Sequence, residues 1–138
     1  VPNGDDTGMK KLLVADDSEL IRLRLVEMLR GLPGVDAVET AGNLAQTLDQ
    51  VFECPPDLTV LDLHLPDGNA IQILAALKRI APAMQIVVLT NDASEFNRRR
   101  CMEEGAGAFF DKSKEFEVAL SWVQRQAAVA TAQPAQPQ

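Results

Sequence analysis

Five apolar runs of strand length, each followed by a stretch with helical periodicity, restrict this chain more than any other feature. The runs are KLLVA (residues 11–15), VDAVETA (35–41), DLTVLDL (57–63), QIVVLT (85–90) and AFFDK (108–112). Segments 18–30, 43–53, 69–80, 94–104 and 113–129 read as helices. In the first, Ile21, Leu25, Met28 and Leu29 share a face, as a helix packed on a core requires. Asp17 or Ser18 can cap its start, and Gly31 with Pro33-Gly34 ends it. Asn43 caps the second helix, and Pro55-Pro56, Pro82 and Gly105 close the second, third and fourth. Strands alternating with helices predict βαβ crossovers and a parallel sheet covered on both sides. LLVA, TVL and IVVL lack polar–apolar alternation, which suits central strands buried on both faces. A chain of 138 residues is far too short for an eight-fold barrel. The expected fold class is therefore α/β, an open doubly wound five-stranded parallel sheet.

Composition narrows the function classes. The hydrophobic fraction of 46% and charged fraction of 24% are those of one ordinary globular domain. A net charge of −7 disfavours direct nucleic-acid binding, which rests on cationic contacts to phosphate, and docking on an anionic membrane. No apolar run reaches the ~20 residues that span a bilayer. Cys54 and Cys101 are too few and too distant for a zinc site or a disulfide framework. They read as two buried free thiols in a reducing, cytoplasmic setting. Residues 1–8, VPNGDDTG, read as an appended lead or a disordered N-terminus, and residues 130–138 as a flexible Ala/Gln/Pro tail, leaving 9–129 as the domain.

In open α/β sheets, ligands sit at the carboxyl ends of the strands, beside the point where strand order reverses. The polar residues at those ends are Asp16 and Asp17 after the first strand, Asp62 at the third, Thr90 at the fourth and Lys112 at the fifth. Each alone has an ordinary explanation as a helix cap, a turn residue or a surface charge. A sheet built only for packing has no reason to gather all of them. Three close carboxylates repel unless protonated or bridged by a cation. Hard oxygen ligands suit Mg²⁺, or Mn²⁺, which links protein carboxylates to phosphate. One carboxylate can serve as a nucleophile on phosphorus, with Thr90 and Lys112 holding the transferred oxygens.

On these residues the sequence resembles the receiver domain of bacterial two-component response regulators. The resemblance spans residues 9–129: an acidic pair, an aspartate followed by LPDG, a Thr and a Lys, each after the expected strand. It implies a flavodoxin-like fold with strand order 2-1-3-4-5. It implies that Asp62 accepts a phosphoryl group from a phosphohistidine on a histidine kinase or histidine phosphotransfer protein. Asp17, Asp62 and the backbone carbonyl of His64 would bind the metal directly, and Asp16 through water. Thr90 and Lys112 would contact the phosphoryl oxygens. Phe109 occupies the switch aromatic position, expected to turn inward as Thr90 moves toward the phosphate.

Several positions depart from the commonest pattern. Ser113 stands where a proline usually follows the lysine, and a cis non-proline bond costs roughly 3–4 kcal/mol, so Lys112–Ser113 is expected trans. Asn91 is bulkier than the usual small residue after the Thr and would narrow access. His64 and Asp92 each lie two residues beyond Asp62 and Thr90, flanking the route of an attacking water, and are expected to set the dephosphorylation rate. The His64 ring itself is a poor Mg²⁺ ligand.

For partners, Leu20 and Leu23 fall off the core stripe of the first helix and are candidates for kinase docking. Arg98, Arg99 and Arg100 form a basic run on the fourth helix. The family's frequent dimerisation or output face, fourth helix, fifth strand and fifth helix, includes that run. No helix-turn-helix or catalytic output segment is expected within these residues, and the sequence leaves open a stand-alone regulator or a domain of a longer protein. Two rivals remain: a pseudo-receiver that binds partners without phosphorylation, and a Mg²⁺-dependent phosphatase or transferase acting on a small substrate. The intact constellation disfavours the first, and connections too short for a lid disfavour the second. A nucleotide-binding loop of the form G-x-x-x-x-G-K-[ST] is absent.

Overall fold

A computed structural model describes residues 10–132, and the expectations for 1–8 and 133–138 lie outside them. The chain runs β1 (Lys10–Ala15), α1 (Glu19–Arg30), β2 (Val35–Ala41), α2 (Leu44–Glu53) and β3 (Leu58–Leu61). It continues through β4 (His64–Leu65), β5 (Gly68–Asn69), α3 (Ile71–Ile80), β6 (Gln85–Thr90), α4 (Glu95–Glu103), β7 (Ala108–Asp111) and α5 (Phe116–Ala132). Five strands pair in parallel in the order β2-β1-β3-β6-β7, the predicted 2-1-3-4-5 arrangement. The order reverses between β1 and β3, which opens the crevice at their carboxyl ends.

Strand pleating divides the core between two faces. Leu12 and Val14 pack with Leu25 and Leu29 of α1 and Ala119 and Val123 of α5. Leu13 and Ala15 point the other way, with Leu74 and Leu77 of α3 and Val51 of α2. This is why the first run is apolar at consecutive positions: both faces are dry.

The caps are mostly as expected. The Ser18 hydroxyl, rather than Asp17, accepts from the Ile21 amide, and Asn43 accepts from Gln46. Gly105 closes α4 at φ 115, where a Cβ would also meet Lys78 Cγ at 2.8 Å; L side chains rarely adopt that conformation.

Several boundaries or burials differ from the sequence reading. Met28 is 41% exposed, because Leu25 and Leu29 already fill the contact of α1 with the sheet. Cys54 is exposed at the end of α2, whereas Cys101 is buried. Helix α5 starts at Phe116 instead of 113, because the Asp111 carboxylate takes the Ser113 and Lys114 amides into a turn that competes with helix. It also runs on to Ala132, past the expected start of the tail, since no breaker precedes Pro134. Residues 64–68, expected as a plain turn, begin a small antiparallel hairpin, His64 opposite Asn69 and Leu65 opposite Gly68. The Lys112–Ser113 bond is trans, since the described residues contain no cis peptide.

Leu74 is fully buried between α3 and the sheet. Leu74→Ala should lower the free energy of unfolding by about 2–5 kcal/mol, measured from the urea midpoint at unchanged slope.

Candidate functional site

Strand register builds the site. Ala15 lies opposite Leu61, so the next residues, Asp16 and Asp62, leave the sheet side by side. The Asp62 amide donates to the Ala15 carbonyl at 2.9 Å. Thr90 ends β6 opposite Asp111, and the Lys112 amide donates to the Thr90 carbonyl at 2.8 Å. Residues distant along the chain therefore meet because the strands end level.

The Lys112 ammonium donates to Asp16 Oδ2 at 2.6 Å and to Asp62 Oδ2 at 3.1 Å. Asp16 and Asp62 are only 3% and 7% exposed, while Asp17 lies at the rim in solvent. Carboxylate oxygens of all three come within 4.8 Å of one another. Asp16 Oδ1 accepts from the Ser18 amide at 2.9 Å, so both its oxygens are engaged. Asp62 Oδ1 has only a long contact from the His64 amide, 3.4 Å. It is the freer oxygen of the pair, open to a ligand or an electrophile.

Charge in this crevice is unbalanced. Burial pushes the Asp62 carboxyl above the ordinary aspartate value, Lys112 pulls it down and Asp16 pushes it up again, leaving it raised. Burial alone would lower the Lys112 pKa, but its hydrogen bond with Asp16 and the charges of both carboxylates outweigh that and raise it. One shared ammonium faces three carboxylates. The residual negative charge and hard oxygen donors match a divalent cation such as Mg²⁺.

The crevice is a cavity of about 370 Å³ lined by Asp16, Asp17, Asp62, His64, Thr90, Asn91 and Lys112, with Ser18 and Ile21. Every residue expected to bind metal or phosphoryl oxygens is in that lining. A wider groove of about 710 Å³ along α1, lined by Leu23, Val26, Glu27, Arg30 and Gly31, lacks any such donor set. Thr90 is fully buried and its hydroxyl accepts from the Asp92 amide at 3.0 Å. Asn91 stands exposed at the mouth.

His64 and Asp92, paired in the sequence reading only by their positions, are in direct contact. His64 Nε2 and Asp92 Oδ2 are 2.6 Å apart, joining the loops after β3 and β6 across the entrance. The His64 hydrogen bond holds the Asp92 carboxyl below the usual aspartate range.

Outside the cavity, Phe109 is buried in the core on the α4 side. Arg98 lies over its ring, 4.8 Å from the centroid. The basic run therefore splits: Arg98 turns inward, while Arg99 and Arg100 stay exposed. Leu20 and Leu23 are exposed at 66% and 60%.

Three supporting residues were missed from sequence. Arg22 donates to the Asp16 carbonyl at 2.5 Å. Asp67 accepts from the Leu44 and Ala45 amides at 2.7 and 3.0 Å, tying the hairpin that carries His64 to the start of α2. Asn97 is buried and donates to the Asp92 carbonyl at 2.9 Å. Only Asn97 carried a signal, as a polar residue four positions before Cys101 on the inward stripe of α4.

Residues 12–124 match the family model described as the response regulator receiver domain. The chain belongs to that family. A curated relative, the DNA-binding transcriptional activator DevR/DosR of Mycobacterium tuberculosis, is 34% identical over 104 residues, 75% of this chain and 48% of its own length. The chain spans about half or less of the length of curated relatives it matches. Among solved structures, the response regulator domain of Thermotoga maritima CheB superposes with a TM-score of 0.77 at 20% identity, covering 94% of this chain and 99% of that one. A Burkholderia pseudomallei response regulator with a phosphorylated aspartic acid, calcium ion and citrate is 29% identical, with a TM-score of 0.74 and 91% and 73% coverage. The receiver fold and its family-level role as a phosphorylation switch in two-component signalling follow.

A group whose folded-state pKa lies above its unfolded value contributes stability below the unfolded pKa and loses it as pH rises through the folded one. Ionised Asp62 therefore burdens the receiver at neutral pH. In metal-free buffer, Asp62→Asn should melt at a higher temperature than the parent at pH 7. The gap should close as pH falls toward about 4, where carboxyls protonate. Equal melting temperatures across that range would contradict the charge assignment.

Proposed function

We propose that Asp62 is the phosphoacceptor of this receiver and that the crevice drives a metal-assisted transfer from a phosphohistidine. The observation that carries the reading is the Lys112 ammonium resting on Asp62 while the opposite oxygen, Oδ1, is nearly free. Asp62 attacks phosphorus, the P–N bond to imidazole breaks, and the departing imidazole leaves on the donor protein. Asp17, Asp62 and the His64 carbonyl would hold Mg²⁺ or Mn²⁺, and Asp16, its oxygens occupied by Lys112 and Ser18, would act through water. The cation supplies charge neutralisation for the phosphoryl oxygens. Lys112 and the Thr90 hydroxyl bind the same oxygens from the protein side. Phe109 reports the event by its packing.

The donor is a histidine kinase or phosphotransfer protein, docking on the exposed Leu20 and Leu23 beside the crevice. Arg99 and Arg100, with the α4–β7–α5 face, present a surface for dimerisation or output. The working compartment is the cytoplasm, and residues 9–129 constitute the switch. Hydrolysis of the acyl phosphate is paced by the His64–Asp92 pair, which covers the side from which water reaches the site. A pseudo-receiver role is disfavoured by the complete donor set, and a separate small substrate by the absence of any lid among the described loops.

Incubation with Mg²⁺ and a small phosphodonor should add one phosphoryl group by mass, with loss on hydroxylamine treatment. Asp62→Asn should give none. Release of phosphate from a free substrate, with no adduct on the protein, would sink the reading. In the doubly substituted His64→Ala, Asp92→Ala protein the adduct should hydrolyse several-fold faster, followed as decay of the phosphorylated mass, and an unchanged lifetime removes the gating role.

A further inference from the structure

The Asp16–Asp17 peptide joins a buried carboxylate of the crevice to the one at its rim, and every polar group of Asp16 is held. Its amide donates to the Ala41 carbonyl at the end of β2, at 3.1 Å. Its carboxylate takes the Ser18 amide and the Lys112 ammonium. Its carbonyl, the oxygen of that peptide, takes Arg22 Nη1 at 2.5 Å. Arg22 stands in the first turn of α1, with its own amide donating to the Ser18 carbonyl at 3.0 Å. Its side chain reaches back past the Ser18 cap and lies beside the β2–α2 turn, where a Cβ on Gly42 would come within 3.2 Å of Nη1. An arginine near three carboxylates would ordinarily pair with one of them. Among the described residues Arg22 forms no ion pair. It grips backbone instead and leaves the Asp17 carboxylate exposed at the rim.

We propose that Arg22 is a positioning residue for the divalent cation, fixing the Asp16–Asp17 peptide so that the Asp17 carboxylate faces the freer oxygen of Asp62. The inference rests on the metal reading above and adds a residue to it. A peptide plane turns about the soft dihedrals on either side of it. With its carbonyl unheld, this one is free to turn and to carry the Asp17 oxygens away from those of Asp16 and Asp62. Mg²⁺ demands near-ideal octahedral geometry, so a ligand presented loosely is a weaker ligand. Arg22 acts on a cation in two opposed ways: its charge repels, and its hydrogen bond presents the ligand. The repulsion is screened, because the side chain is only partly buried. Partners that orient a metal ligand are typically worth about ten- to a hundredfold in affinity. Positioning therefore wins, and the sign of the change on removing Arg22 separates the two effects.

Mn²⁺ serves as the probe, since the electron paramagnetic resonance of the free ion yields its dissociation constant directly. Arg22→Met keeps the aliphatic stem and removes the donors, and Arg22→Gln replaces it if the methionine variant does not melt cooperatively. Either should raise the Mn²⁺ dissociation constant about ten- to a hundredfold over the parent, in protein whose metal-free melt stays cooperative. Arg24→Gln removes an exposed guanidinium from the same helix and should leave the constant unchanged or lower it. An unchanged or lower constant in the Arg22 variants, or an equal rise in Arg24→Gln, overturns the inference.

A second readout needs no metal. With an isotope label on the Asp16 carbonyl carbon, its magnetic resonance should move upfield in the Arg22 variant as the hydrogen bond is lost, and an unmoved resonance removes the contact on which the inference stands. A parent that leaves the free Mn²⁺ signal untouched overturns the metal reading and the inference with it. A parent that binds, beside Arg22 variants that bind equally well, sinks the inference alone.

Discussion

The Lys112 ammonium, shared between Asp16 and Asp62, is the contact on which the crevice depends. Two carboxylates buried at the ends of neighbouring strands repel, and burial disfavours the ionised form of Asp62. A single cation reaching in from the far side of the sheet, 96 residues from Asp16 in sequence, makes the arrangement tolerable. It does not balance it. Asp17 at the rim adds another negative charge, and Asp62, which takes the longer of the two contacts, keeps a raised pKa because it is buried and lies beside Asp16. The site is held in a state that a divalent cation would relieve.

The rest of the fold keeps those strand ends level. Apolar side chains on both faces of β1, β3 and β6 fix the register, and the register puts Asp16 beside Asp62 and Lys112 beside Thr90. Apolar packing seats α1, α2, α3 and α5, whose buried residues join the core on the two faces of the sheet. The exception is α4, which is seated by hydrogen bonds to the Asp92 loop and to β7. An element held by a few directional ties moves at lower cost than one held by a buried apolar face.

Cysteine placement agrees with this division. Cys101 lies under α4, and burial pushes its thiol up to about 11, so it stays protonated and behaves as a small apolar side chain. The His64–Asp92 hydrogen bond crosses the mouth between two solvent-accessible side chains. Such pairs contribute little to stability, in keeping with the gating role proposed for this one.

Much of this was legible in the residues alone. Consecutive apolar positions in LLVA and IVVL can be buried only between two helical layers, and five such units in 138 residues leave few topologies besides the one observed. The acidic pair, Asp62, Thr90 and Lys112 were also readable, because strand ends converge in any sheet of this kind and the residue types there are unusual. What the chain could not disclose was pairing across loops. That His64 bonds Asp92, that Asp67 caps α2 and that Arg98 abandons its arginine neighbours for Phe109 depend on ångström-scale placement of non-local segments. Hydrophobic periodicity carries no record of such placement. Sequence determined which groups would meet at the mouth of the sheet, and tertiary structure alone decided which of them hold hands, since a hydrogen bond requires a distance and an angle that only the folded chain possesses.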